Sequence, residues 1–337
     1  MNSTETRDWR SSARSMLRWL PAIAVTALVF WLLAREINWH DFLISLSSVP
    51  LPTLGLSVVL YLAGMVIRAI GWQFLLQRRV SVKTAVIVLC EGYLFNNILP
   101  FRIGELARAF LMGRRSNLGL FQVLPTIVVE RSYDLVIAAS LLLATLPLAL
   151  KLDWARPVAI LLLAVILAGL FALFLAARNQ EWVETRAEQL GGRWGLIRRW
   201  ILPQLHNILN GFSVLNKFEY FVGSFGLLLV SWALAVLRDW VLIRAFVPGA
   251  PLWWGALGVS ASNILGAVPS VMASLGTYEY GAVGALTLVG MASELVLAYS
   301  LIAHVTHLIF SSLIGVFGLS QEGETFSNLY AEIRRAR

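Results

Sequence analysis

Apolar residues run along this chain in blocks, not in the alternation of a half-buried strand or the one-sided stripe of a soluble helix. Six blocks, 19–34, 52–67, 135–150, 157–177, 220–237 and 295–320, contain no Asp, Glu, Lys or Arg. Each approaches the roughly 20 residues that a helix needs to cross a hydrocarbon layer of about 30 Å. Only closed backbone hydrogen bonding is tolerated there, so uninterrupted apolar blocks of this length predict helices. The pattern predicts an all-α polytopic membrane protein with six full spans.

Two further apolar stretches are interrupted, and charge decides how to read them. The stretch 84–112 follows Arg78, Arg79 and Lys83, ends at Arg114 and Arg115, and is broken near its middle by Asn96, Asn97 and Pro100. Basic residues collect on the cytoplasmic side, so both of its ends belong to the same face. Each arm, at about 12 to 14 residues, rises only about 20 Å and does not cross. The stretch is expected to be a re-entrant hairpin. A second, about 253–290, carries Glu279 as its single formal charge and is broken by Gly266, Pro269, Gly276 and Gly281. It is expected to enter from the opposite face.

The two interruptions echo each other. Asn97-Ile98-Leu99 with Pro100 and Gly104-Glu105 is followed by Asn263-Ile264-Leu265 with Pro269 and Gly276-Thr277-Tyr278-Glu279. Opposed broken helices are the architecture of alternating-access carriers. Arg7, Arg10, Arg14 and Arg18 mark residues 1–18 as a cytoplasmic basic N-terminus, with 19–34 kept as a span rather than removed as a leader. Residues 19–320 then form one transmembrane domain and 321–337 a cytoplasmic tail. Within it, 178–217 mixes both charge signs with Trp182, Trp194 and Trp200, as expected of an amphipathic segment on the cytoplasmic surface.

Composition narrows the function. Of 337 residues, 58% are hydrophobic and 14% charged. That balance excludes a soluble domain. The net charge of +8 suggests anionic lipid contact and topology rather than nucleic acid. A lone cysteine, Cys90, excludes a disulfide within the chain and argues against a cysteine metal site. No nucleotide loop, GxSxG or HExxH motif is present, so no catalytic residue, metal or cofactor is expected.

The candidate chemistry lies in the interruptions. Pro100 suits the first turn of a half-helix, whose free N–H groups and nearby Arg102 and Arg108 would hold an anionic head group, with Asn96 and Asn97 as further donors. Alternatively Arg102 and Glu105, one turn apart, neutralise each other. Glu130, Arg131 and Asp134 are either counter-charges for that hairpin or a charged start to the next span. Glu279, an acid at membrane depth, is a candidate for proton coupling or counter-charge, against a role only in the Gly276 turn. Arg68, Glu91 and the Arg238-Asp239 pair are read as structural pairs or end residues, and His304 and His307 as interhelical hydrogen bonds or a proton relay.

The motifs LPFRIGELARAFLMGRR, VVERSYDL and VPSVMASLGTYEYGAVGAL resemble the flippase-like transmembrane domain of the lysylphosphatidylglycerol synthase (multiple peptide resistance) family, whose pattern is close to LPxRxGExxR, ERxxD and PxxxGxxE. The likeness runs from about residue 15 to 320, and the last motif is longer here, PSVMASLGTYE. Arg102, Glu105, Arg108, Glu130, Arg131, Asp134 and Glu279 fall on the family's pattern, and with Asn96 and Asn97 from the hairpin tip the expected head-group residues are Asn96, Asn97, Arg102, Glu105, Arg108 and Arg131. The likeness implies movement of a phospholipid, aminoacyl-lipid, glycolipid or polyprenyl-linked lipid between leaflets of the bacterial inner membrane. Full synthases continue into a soluble aminoacyltransferase domain, whereas 17 residues follow Ser320, so a stand-alone translocator is expected. Its expected partners are a membrane lipid, a separately encoded lipid synthase or glycosyltransferase, and a second copy of the chain. The rival readings are a non-catalytic subunit or scaffold of such a pathway, hopanoid-associated transport, and a lipid-modifying enzyme using Glu279 or Glu130 as base.

Overall fold

The computed structural model describes residues 38–99, 103–116, 118–150, 218–268 and 272–321, with isolated positions between 157 and 185. The expected spans 19–34 and 157–177, the surface segment 178–217 and the tail thus lie wholly or largely outside the described residues. Those described are helical and include no strand. Among the described residues, four helices are long and apolar enough to cross a membrane: α2 (Leu51–Leu75), α5 (Leu120–Leu150), α6 (Phe218–Phe246) and α9 (Ser293–Gln321). Their outward faces expose Val59, Leu148, Leu229 and Leu313, side chains suited to lipid rather than water. The protein is a helical polytopic membrane protein.

The two interrupted stretches fold as hairpins. Ser81 caps α3 (Val82–Ile98) by accepting from the Thr84 N–H at 3.1 Å. That helix stops at Leu99, which is held extended at φ −104° and ψ 145°. Leu99 precedes Pro100, whose ring disfavours helical backbone before it. The chain resumes as α4 (Gly104–Arg115). The arms pack antiparallel through glycine: a side chain on Gly92 would press on Arg108 Cβ at 3.0 Å, and one on Gly104 would strike the Gly92 carbonyl and Asn96.

The second hairpin uses the same device. Helix α7 (Leu252–Gly266) is followed by a 3-10 turn (Met272–Ser274) and α8 (Thr277–Leu286), and a side chain on Gly281 would lie 2.6 Å from the Ala261 carbonyl. Gly281, expected to break the helix, instead sits inside α8 and lets the arms approach. At the bend Ala273 (φ 58°), Ser274 (φ 57°) and Gly276 (φ 85°) all have left-handed φ. For the two non-glycine residues that backbone is strained.

One element was not expected and one expectation needs correction. A short helix, α1 (Trp39–Ser47), precedes α2, and Asn38 caps it by accepting from the His40 N–H at 3.1 Å. Span 135–150 begins far earlier, at Leu120, and carries Pro125 and Pro147 within it. Glu130, Arg131 and Asp134 therefore lie inside α5, not at its start.

The buried core divides into two clusters, one around Trp72, Phe95, Met112 and Tyr133, the other around Leu242, Leu257, Leu286 and Tyr299. Each cluster is built mainly on one hairpin, although Val259 of α7 packs in the first. Helix α9 touches both, so the gap between the clusters has a shared wall.

Candidate functional site

A cavity of about 480 Å³ opens where the hairpins meet, and the tips of both line it: Asn96, Asn97 and Leu99 from the first, Gly266, Ala267, Ala273 and Ser274 from the second. Helices α2, α5, α6 and α9 complete its wall with Arg68, Arg131, Asp134, Arg238, His304 and His307.

Beneath the wall near the first hairpin, three arginines share two carboxylates. Glu130, fully buried, accepts from Arg108, from Arg68 at 3.1 Å and from Arg131 at 3.1 Å. Asp134 accepts from Arg68 and from Trp232 Nε1 at 2.9 Å, with Arg131 at 3.5 Å. Trp72 fixes this lattice from below: its ring lies 3.6 Å under the Arg108 guanidinium, and its Nε1 donates to Thr126 at 3.1 Å. A guanidinium over an indole face is held by the ring's quadrupole. Three cations on two anions leave one positive charge over. Arg131, with 34% of its side chain exposed, is the most open of the three.

The expected head-group residues therefore separate. Asn96, Asn97, Glu105 and Arg131 line the cavity; Arg108 lies behind the wall, 3% exposed and paired with Glu130; Arg102 is outside the described residues. The anion-binding helix start also needs correction. Helix α4 begins at Gly104 and not directly after Pro100, and the Gly104 N–H already donates to Asn96 Oδ1 at 2.7 Å. Glu105 occupies the first turn, where its charge answers the helix dipole. Asn96 accordingly caps a helix with its oxygen. Asn97 Nδ2 donates to Ser311 at 3.1 Å and Ser312 at 3.0 Å, tying the tip to α9. Among the described residues, Glu105 Oε2 is buried without a hydrogen-bond partner.

At the second hairpin, Glu279 bridges two roles. Its Oε2 accepts from the Gly276 N–H at 2.8 Å, and its Oε1 lies 2.6 Å from His304 Nδ1. The first contact is the glutamate half of a capping box on α8; Gly276, having no side chain, cannot supply the other. His307 contacts Tyr61 Oη at 3.1 Å. Arg238 donates to Asp239 at 2.7 and 2.9 Å and to Tyr278 at 3.3 Å. Glu91 pairs with Arg115 at 2.8 Å near the base of the first hairpin.

Sequence reasoning under-rated Arg68, placed at the end of a span although it lies well inside α2. A lone arginine in a 25-residue apolar helix is itself a signal. Such a residue must face a partner or a cavity. Trp72, Trp232 and Tyr61 carry no local signal, since aromatic residues are common in spans and only the fold brings them to the arginines. No group of three or more His, Cys, Asp or Glu side chains able to hold a metal occurs among the described residues.

No curated protein matches the chain. Residues 19–315 match the family described as the lysylphosphatidylglycerol synthase TM region, and the chain belongs to that family.

Proposed function

We propose that the protein is a lipid translocase of the bacterial inner membrane. In this reading the cavity receives the polar head of a phospholipid, aminoacyl-lipid, glycolipid or polyprenyl-linked lipid while the tails remain in the bilayer. The observation that carries it is the cavity itself, a largely apolar chamber into whose wall Arg68, Arg131 and Asp134 are set, between helices long enough to span. Hydrocarbon rejects a charged head, so a path between leaflets must supply polar contacts at membrane depth. Arg131 offers a planar fork suited to phosphate oxygens. Asn97 and Arg68 stand nearby.

The two broken helices would act as opposed re-entrant hairpins, the first entering from the cytoplasm, where both chain ends also lie. Rocking one hairpin against the other would open the cavity to each leaflet in turn. The chain makes or breaks no covalent bond in this scheme, and a separately encoded synthase or glycosyltransferase would supply the lipid.

The test is redistribution of nitrobenzoxadiazole-labelled phosphatidylglycerol between leaflets of vesicles holding the purified protein, read by quenching of the outer leaflet. Wild type is expected to equilibrate the probe. Arg131→Ala, by removing one charge-assisted contact of about 1.5 to 3 kcal/mol, is expected to slow it at least about tenfold. Equal rates in Arg131→Ala, Arg68→Ala and wild type would remove the cavity from the mechanism.

A further inference from the structure

Glu279 does two things at once, and they compete for the same electrons. One oxygen caps α8 through Gly276, directly after the strained turn of Ala273 and Ser274; the other meets His304, which lines the cavity. Glu279 and His304 are 3% and 5% exposed. A charge on either has little water to screen it. A carboxylate is a strong acceptor for the Gly276 N–H, whereas a protonated carboxyl keeps less acceptor capacity and adds a donor. Protonation at this contact therefore weakens the bond that holds a strained hairpin tip in place.

We propose that Glu279 and His304 form a proton-operated latch on the second hairpin. A proton entering from the cavity lodges between His304 Nδ1 and Glu279 Oε1, the hold on Gly276 weakens, and the 272–276 turn relaxes. Loss of the proton restores the carboxylate and closes the cap. A head group reaches the latch through His304, so occupancy and protonation influence each other. An arriving phosphate favours the added proton and an arriving amine opposes it.

The groups around the latch are defined on each packed element. On α8 the Tyr278 ring lies 4.7 Å from that of His304, and on α9 the His307 ring lies 6.5 Å away. Arg238 on α6 bonds Tyr278, with Asp239 beside it, and Arg68 on α2 lines the same cavity. Tyr61 on α2 and Tyr93 on α3 close the far side of His307, the latter at 5.0 Å between rings. Helix α7 contributes no titratable side chain.

Two measurements test the latch, and only the second rests on the translocase reading. Hydrogen exchange of the 268–280 segment, corrected for intrinsic rates, is compared between about pH 5 and about pH 8, the range in which a histidine changes charge. In wild type, exchange is expected to rise at least about tenfold at the acidic end, as the cap is worth about that factor. Glu279→Gln is expected to exchange fast and equally at both ends, and His304→Gln to shift the midpoint. Wild-type exchange that ignores pH overturns the latch without any variant.

The second measurement follows labelled phosphatidylglycerol in vesicles under an imposed gradient. One pH unit is expected to bias its final leaflet distribution up to about tenfold per proton carried. Probe that equilibrates evenly despite the gradient overturns proton coupling and leaves the translocase reading standing. Probe that fails to move while the 268–280 segment still responds to pH removes the translocase reading and leaves the latch.

Discussion

At the scale of single residues, the molecule is organised around Glu130. Its two oxygens answer three guanidinium groups in a place without solvent. Removing one member of a buried pair strands the rest, at a typical cost of about 3 to 5 kcal/mol. Glu130→Gln is thus expected to lower the unfolding midpoint in detergent sharply, read by tryptophan fluorescence, and more than Glu105→Gln, whose Oε2 has no partner among the described residues. Equal effects would show that the lattice contributes little. Trp72→Phe retains a ring under Arg108 but leaves Thr126 without its donor. A smaller loss, about 1 kcal/mol, is expected there. These charged residues were visible in the sequence because arginines and acids inside apolar segments stand out. Their partnerships were not, since Arg68 and Glu130 lie on separate helices and nothing in one dimension records that they meet. Reading Glu130 as a helix start followed from the same limit: a charge cluster at an interface and one buried in a lattice look alike in sequence.

At the scale of elements, glycine governs how close the helices come. Within the first hairpin, Gly104 faces the Gly92 carbonyl and Asn96, and within the second, Gly281 faces Ala261. On α9, a side chain at Gly315 would sit 2.7 Å from the Cys90 carbonyl of α3. Gly104→Ala, Gly281→Ala and Gly315→Ala are therefore expected to destabilise by about 1 to 3 kcal/mol through overpacking. At Gly226 and Gly284 a methyl would meet open space inside a helix. Gly226→Ala and Gly284→Ala are expected to be neutral or to stabilise by up to about 1 kcal/mol. Thermal unfolding of the five variants checks the contrast, and a uniform loss would contradict it. The breaks at Pro100 and around Gly276 were legible from composition. The role of Gly281 was not, because a helix-breaking glycine and a packing glycine differ only in what lies opposite. Helix α1 was missed as well, being too short to span and too apolar to stand out as a surface segment.

At the scale of the whole molecule, the arrangement is two hairpins, each packed mainly in its own buried cluster, meeting at a cavity whose wall carries charged side chains, with α9 along both. That helix binds Asn97 of the first tip through Ser311 and Ser312 and Glu279 of the second through His304, so movement of either tip is felt by the other. The apolar blocks and the charge rule made the class of protein and the paired interruptions readable. The cavity was not readable, because its wall is drawn from eight helices far apart in the chain. The account stands on both hairpins turning back inside the membrane, and labelling from each aqueous face with an impermeant maleimide tests this most directly. In a Cys90→Ala background, Lys83→Cys and Arg114→Cys are expected to react from the same face, and Gly249→Cys and Gly290→Cys from the opposite one. If Lys83→Cys and Arg114→Cys react from opposite faces, the first hairpin is a continuous crossing and the cavity between opposed tips is contradicted.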